Sequence, residues 1–82
     1  MTYDELKNIA KNIKTDNFKI TDIGDCFVIN CQKNFSGDKY FIHDDGSILL
    51  VVDSSKPNMS SSIWLRQDMD FGKILKLVEF LQ

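Results

Sequence analysis

Residues 39–53 read KYFIHDDGSILLVVD and decide the fold class, because a turn signal separates two apolar runs of strand length. Asp45-Gly46 is typical of tight β-hairpins, since glycine adopts the positive φ that such turns require. We therefore predict a hairpin of strands 39–43 and 47–53. Pairing across Asp45-Gly46 places Tyr40, Ile42, Leu49 and Val51 on one face and Phe41, Ile48, Leu50 and Val52 on the other.

Both faces of this hairpin are therefore apolar. A strand pair that is buried on one side only alternates apolar and polar residues, and this pair does not. We expect a helix, a loop, another subunit or a binding target to cover the second face.

A second hairpin precedes it in the chain. Residues 18–23 and 26–33 flank Gly24-Asp25, a dipeptide suited to a two-residue type II′ turn. The register that follows predicts a core face of Phe18, Ile20, Phe27, Ile29 and Cys31, and a mixed, half-wet face of Lys19, Thr21, Ile23, Cys26, Val28 and Asn30.

Both ends of the chain carry helix signals. Thr2 to Glu5 matches a capping box, and the helix that begins there should end within residues 14–17. Asp70 is a candidate N-cap for a second helix over about residues 70–81. Apolar stripes at helical spacing follow the two caps: Tyr3, Leu6, Ile9, Ala10 and Ile13 in the first helix, and Phe71, Ile74, Leu75, Val78 and Leu81 in the second.

The segment between the second hairpin and the last helix is rich in serine and predicts a loop over residues 54–62. Residues 63–66 then form either a fifth strand or an anchor that packs the loop down. The sequence thus predicts a single α+β domain over residues 1–82, with an N-terminal helix, a four-stranded or five-stranded antiparallel sheet built from two hairpins, and a C-terminal helix.

Composition excludes several classes of function. The longest apolar run, residues 48–52, is far shorter than the roughly 20 residues that a membrane-spanning helix needs. The N-terminus mixes charged residues into its apolar pattern and does not resemble a secretory signal, so we expect a cytoplasmic protein. The net charge is −2 and the cations are dispersed, which disfavours binding of duplex nucleic acid. A content rich in Lys, Ile, Asn and Asp is typical of bacteria or phages with AT-rich genomes.

The cysteine and histidine residues of the sequence give little support for a catalytic site or a metal site. Cys26 and Cys31 lie about 16 Å apart along one strand, too far for a disulfide, and a single histidine completes no zinc site. Cys26, on the wetter face beside a turn, is a candidate for oxidation. His43 beside Asp44 and Asp45 suggests a general base, but no nucleophile is predictable near it. We predict no enzyme, no metal and no cofactor, with a small enzyme that uses His43 as the third alternative.

Contact surfaces have better support. Trp and Arg dominate interface hot spots, and both occur in the segment 63–66 at the end of the polar loop. The structural alternative is that Trp64 folds back and covers the free face of the second hairpin. Phe80 lies opposite the apolar stripe of its helix, and Phe35 lies in a turn. The predicted partner-binding residues are Trp64, Ile63, Leu65, Arg66, Phe80 and Phe35.

Residues 41–53 followed by 70–75 resemble the end of SMI1/KNR4-type immunity domains, in which a strand, a D-G turn, a strand and a final helix recur. The resemblance covers less than half of the chain and implies no role for any residue. We predict a small protein-binding module, such as a bacterial or phage regulator, inhibitor or immunity-type protein. The alternative is a homo-oligomeric structural protein that buries the second sheet face against a copy of itself.

Overall fold

The computed structural model describes residues 1–33, 37–52, 61–66 and 70–82, with residues 61–66 described by their backbone. It has the predicted α+β architecture, including the fifth strand. Helix α1 spans Tyr3–Asn12, and helix α2 spans Phe71–Leu81. The strands between them are β1 (Phe18–Asp22), β2 (Cys26–Cys31), β3 (Lys39–His43), β4 (Ile48–Val52) and β5 (Ser61–Arg66).

The strands form one antiparallel sheet in the order β1-β2-β3-β4-β5. Each strand pairs with the next along the chain, so β1 and β5 are the two edges of the sheet. Neither described helix is long and apolar enough to cross a membrane.

The first hairpin has the predicted register. Phe18 pairs with Cys31, Ile20 pairs with Ile29, and the Ile23 amide donates to the Cys26 carbonyl at 3.0 Å. Gly24 has a φ of 110°, which an L-residue adopts only with strain. The two-residue turn therefore fixes which residues of this hairpin face the core.

The second hairpin differs from the prediction by one residue. The His43 amide donates to the Ser47 carbonyl at 2.9 Å, so the loop consists of the three residues 44–46 and does not pair across Asp45-Gly46. Gly46, at a φ of 87°, is the last loop residue, and the Ser47 amide donates to Asp45 Oδ1 at 2.8 Å. Tyr40, Ile42, Ile48, Leu50 and Val52 therefore share one face, and Phe41, Leu49 and Val51 share the other.

Both helices pack on the same face of the sheet, which we call the first face. The buried cluster there joins Leu6 and Ala10 of α1 and three residues of α2 to strand residues. Together its members are Leu6, Ala10, Phe18, Phe27, Ile29, Cys31, Tyr40, Ile42, Ile48, Ile74, Val78 and Leu81.

Helix α1 begins as predicted but ends earlier. Thr2 is the N-cap, and its Oγ1 accepts from the Glu5 amide at 3.2 Å. The helix ends at Asn12, before the predicted boundary at residues 14–17. Ile9, placed by the sequence in the apolar stripe, is 40% exposed, so the buried face of the helix is narrower than predicted.

Tyr3 links α1 to the first hairpin and to α2. Its hydroxyl donates to the Gly24 carbonyl at 3.3 Å, and its ring lies 5.8 Å from that of Phe27 and 6.2 Å from that of Phe71. Burial, reinforced by neighbouring negative groups, raises the pKa of Tyr3 to about 12.

Candidate functional site

The face of the sheet opposite the helices is the candidate site, and we call it the second face. Strand pairing arranges its residues in rows that run across the sheet. Because partners in an antiparallel ladder lie on the same face, these rows follow directly from the register. The second-face residues of the first four strands are Lys19, Thr21, Cys26, Val28, Asn30, Lys39, Phe41, His43, Leu49 and Val51.

The central row of this face is apolar across four strands, and we call it the apolar row. Val28 pairs with Phe41, Phe41 pairs with Leu49, and Leu49 pairs with Trp64 of β5. Val28 is buried, whereas Phe41 and Leu49 are half-buried. The helices pack against the first face, and Val28, Phe41 and Leu49 do not belong to the core cluster that they form there.

The two ends of the second face carry opposite charges. Exposed Lys19 and Lys39 occupy one end of the strands. At the other end, the turns bring together exposed Asp25, Asp44 and Asp45, and the Asp44 amide donates to the Asp25 carbonyl at 2.9 Å. The apolar row therefore lies between a cationic end and an anionic end.

Cys26 and His43 are direct partners on the second face, an arrangement that sequence analysis did not find. The hydrogen bond between Asp44 and Asp25 makes Cys26–His43 a non-hydrogen-bonded pair, with Cα atoms about 4.5 Å apart. His43 Nδ1 lies 3.3 Å from the Ser47 carbonyl oxygen.

The environment of Cys26 disfavours a thiolate. Its side chain is 7% exposed, so the expectation that it is accessible for oxidation is wrong. Burial, followed by the charges of Asp25, Asp44 and Asp22, raises the pKa of this thiol. The pair with His43 therefore has the proximity but not the electrostatics of an activated nucleophile.

The structure gives the backbone positions of four of the predicted partner-binding residues, all in β5. Trp64 occupies the register position beside Leu49, while Ile63 is the partner of Leu50, a first-face residue. Arg66 pairs with Ile48 next to a register irregularity, and Leu65 lies between Trp64 and Arg66 in β5.

The other two predicted residues belong to other parts of the sequence. Phe80 is 71% exposed on α2, in the helical layer over the first face. Phe35 lies outside the described residues.

Val28, Phe41 and Leu49 are the residues that sequence analysis did not assign to the site. The signal that pointed to them was the apolar character of both hairpin faces. Their alignment with Trp64 depends on the pairing of β4 with β5, and no short turn sequence joins those two strands.

Within the described residues, no three His, Cys, Asp or Glu side chains lie close enough together to hold a metal ion. Comparison with known proteins adds no assignment, because no family model, no curated protein and no solved structure matches the chain.

Proposed function

We propose that this chain is a non-catalytic protein-binding module that contacts its partner through the second face. The apolar row carries this proposal, because Val28, Phe41, Leu49 and Trp64 are consecutive register partners on the face without helices. An apolar centre flanked by charged residues is the usual composition of a protein contact surface.

The size of the face favours a transient contact. Five strands about 4.8 Å apart and five residues long give a projected area of about 400 Å². Stable interfaces bury about 800 Å² on each partner, so a contact through this face alone has the size of a weak or transient complex. A regulator or inhibitor that binds reversibly fits such an interface. The two free cysteines, Cys26 and Cys31, are compatible with action in the reducing cytoplasm.

A matched pair of substitutions tests this function. Leu49→Lys places a cation in the apolar row, and Phe80→Lys places one on the outer side of α2. Tagged wild-type protein and both variants are used to capture binding proteins from an extract of the cells that make the chain. We expect a protein that the wild type and Phe80→Lys retain and that Leu49→Lys loses. Equal capture by Leu49→Lys would overturn the proposal, provided that circular dichroism shows both variants folded.

Self-association through the same face is the second candidate, and the charge distribution favours it. A two-fold axis that runs across the strands stacks the apolar row of one copy on that of its partner. The same axis brings Lys19 and Lys39 over the anionic turns with Asp25 and Asp44 of the other copy.

Sedimentation equilibrium distinguishes the two candidates. A homodimer would dissociate in high salt and in Lys39→Glu, because both changes weaken the pairing of opposite charges. A chain that stays monomeric at millimolar concentration would exclude self-association and leave the heterologous partner.

A further inference from the structure

A cleft lies at the β1 edge of the sheet, away from the apolar row. It has a volume of about 310 Å³ and lies between the end of α1 and β1. It is lined by both polar and apolar surface, from Ala10, Lys11, Ile13, Phe18, Lys19 and Ile20. The volume falls within the range of clefts that accommodate ligand groups.

The backbone of β1 is open along this cleft. The Gln32 amide donates to the Asn17 carbonyl at 2.7 Å, and the Ile23 amide donates to the Cys26 carbonyl at 3.0 Å. Odd-numbered residues of β1 therefore bond to β2, and the amides and carbonyls of Phe18 and Ile20 point to the outer edge. Among the described strands, none pairs with this edge.

We propose that the β1 edge binds an extended, acidic segment of a partner protein as a sixth, antiparallel strand. Residues of the segment opposite Phe18 and Ile20 lie on the cleft side and are apolar. The residue between them lies opposite Lys19 and is acidic, because opposite charges in directly facing positions stabilise a strand pair. The segment thus alternates apolar and acidic residues, and it binds independently of the second face.

The charges along β1 indicate which kind of segment binds at this edge and where along the strand it lies. Lys19 is exposed, whereas the carboxylates beside it along the chain are paired: Asp22 with Lys7 at 3.4 Å and with Lys11 at 3.7 Å, and Asp16 with Lys33 at 3.6 Å. Binding is therefore centred near Lys19. A second copy in the register that pairs Phe18 with Ile20 of that copy is disfavoured, because Lys19 would face Lys19.

Amide hydrogen exchange with a synthetic peptide tests this site. The probe is a capped seven-residue peptide that alternates valine and glutamate, and its control alternates valine and lysine. With the glutamate peptide we expect exchange at Phe18 and Ile20 to slow about tenfold, while Lys19 and Thr21, already bonded to β2, keep their rates. No slowing at Phe18 and Ile20, or the same slowing with the lysine peptide, would overturn the proposal.

N-methylation of the peptide tests the strand pairing itself. In an antiparallel pair, the valines opposite Phe18 and Ile20 direct their amides toward β1, and the glutamates direct theirs outward. N-methyl groups on the valines should abolish binding, and the same groups on the glutamates should leave it intact. Equal binding by both methylated peptides would show that no strand is added.

Charge reversal on the protein completes the test. Lys19→Glu should weaken binding of the glutamate peptide at least fivefold and confer binding of the lysine peptide. Lys39→Glu is the matched control, because Lys39 shares the row of Lys19 but lies on β3, inside the sheet. An equal loss in Lys39→Glu would mean that general charge attraction, and not the β1 edge, holds the peptide.

Discussion

Alanine substitutions at two neighbouring residues of β3 test separately how much each face of the sheet contributes to stability. Ile42 is fully buried on the first face, and Phe41 is half-buried on the second. We expect Ile42→Ala to lower the free energy of unfolding by about 3 to 4 kcal/mol and Phe41→Ala to lower it by about 1 to 2 kcal/mol. The larger side chain should thus have the smaller effect.

The magnitudes follow from burial. Ile42→Ala removes three carbon groups, worth about 2.4 kcal/mol at roughly 0.8 kcal/mol each, and leaves a cavity beneath the helices. Phe41→Ala removes more atoms, but a half-buried ring loses less transfer free energy and leaves no closed cavity. A domain of this length has a total stability of about 4 to 12 kcal/mol, so the difference is measurable.

Urea denaturation followed by circular dichroism measures both changes. Ile42→Val is the control, and it should lower the free energy of unfolding by about 0.5 to 1.5 kcal/mol. If the slope of the free energy of unfolding against urea concentration is the same in all variants, they unfold through the same transition. If Phe41→Ala cost as much as Ile42→Ala, the second face would be a second core and the reasoning would fail.

Four further predictions follow from individual contacts. Thr2→Ala should lower the free energy of unfolding by about 1 kcal/mol, because it removes the N-cap, while Thr2→Ser should change it little; thermal or urea unfolding measures both. Gly46→Ala should lower the free energy of unfolding by about 1 to 2 kcal/mol because φ is 87°, and Gly46→Asn should lower it less. Equal stability of the wild type and both variants would contradict the assigned loop. The raised pKa of Tyr3 means that the folded state keeps a proton that the unfolded state loses near pH 10, so the free energy of unfolding should fall between pH 10 and 12, and less steeply in Tyr3→Phe. Cys26 and Cys31 should react with a thiol reagent only after unfolding, because both are buried and both have a raised pKa; fast labelling of the native protein would contradict this.

Local signals predicted the elements and one of the two hairpin registers. Gly24-Asp25 allowed one short turn, and the structure has it. Asp45-Gly46 fits a two-residue and a three-residue loop equally well, since both place glycine at a positive φ. The hydrogen bond from His43 to Ser47 selects the longer loop, and this choice moves Leu49 to the second face. One residue of loop length therefore decided the composition of both faces.

The candidate site was less predictable because it depends on pairing between distant segments. The proximity of Cys26 to His43 requires the β2–β3 register, and the position of Trp64 beside Leu49 requires β5 to pair with β4. Neither connecting sequence contains the Asn-Gly or Asp-Gly dipeptide that would fix a two-residue hairpin register. Exposure of Phe80 was predictable, since helical periodicity alone places it opposite the buried stripe.

Hydroxyl-radical footprinting of the free and partner-bound protein tests the central claim most directly. Mass spectrometry would compare the oxidation of Phe41 and Leu49 on the second face with that of Phe80 on α2. If the second face binds the partner, Phe41 and Leu49 become protected on binding and Phe80 keeps its rate. Protection of Phe80 with unchanged oxidation of Phe41 and Leu49 would contradict the account.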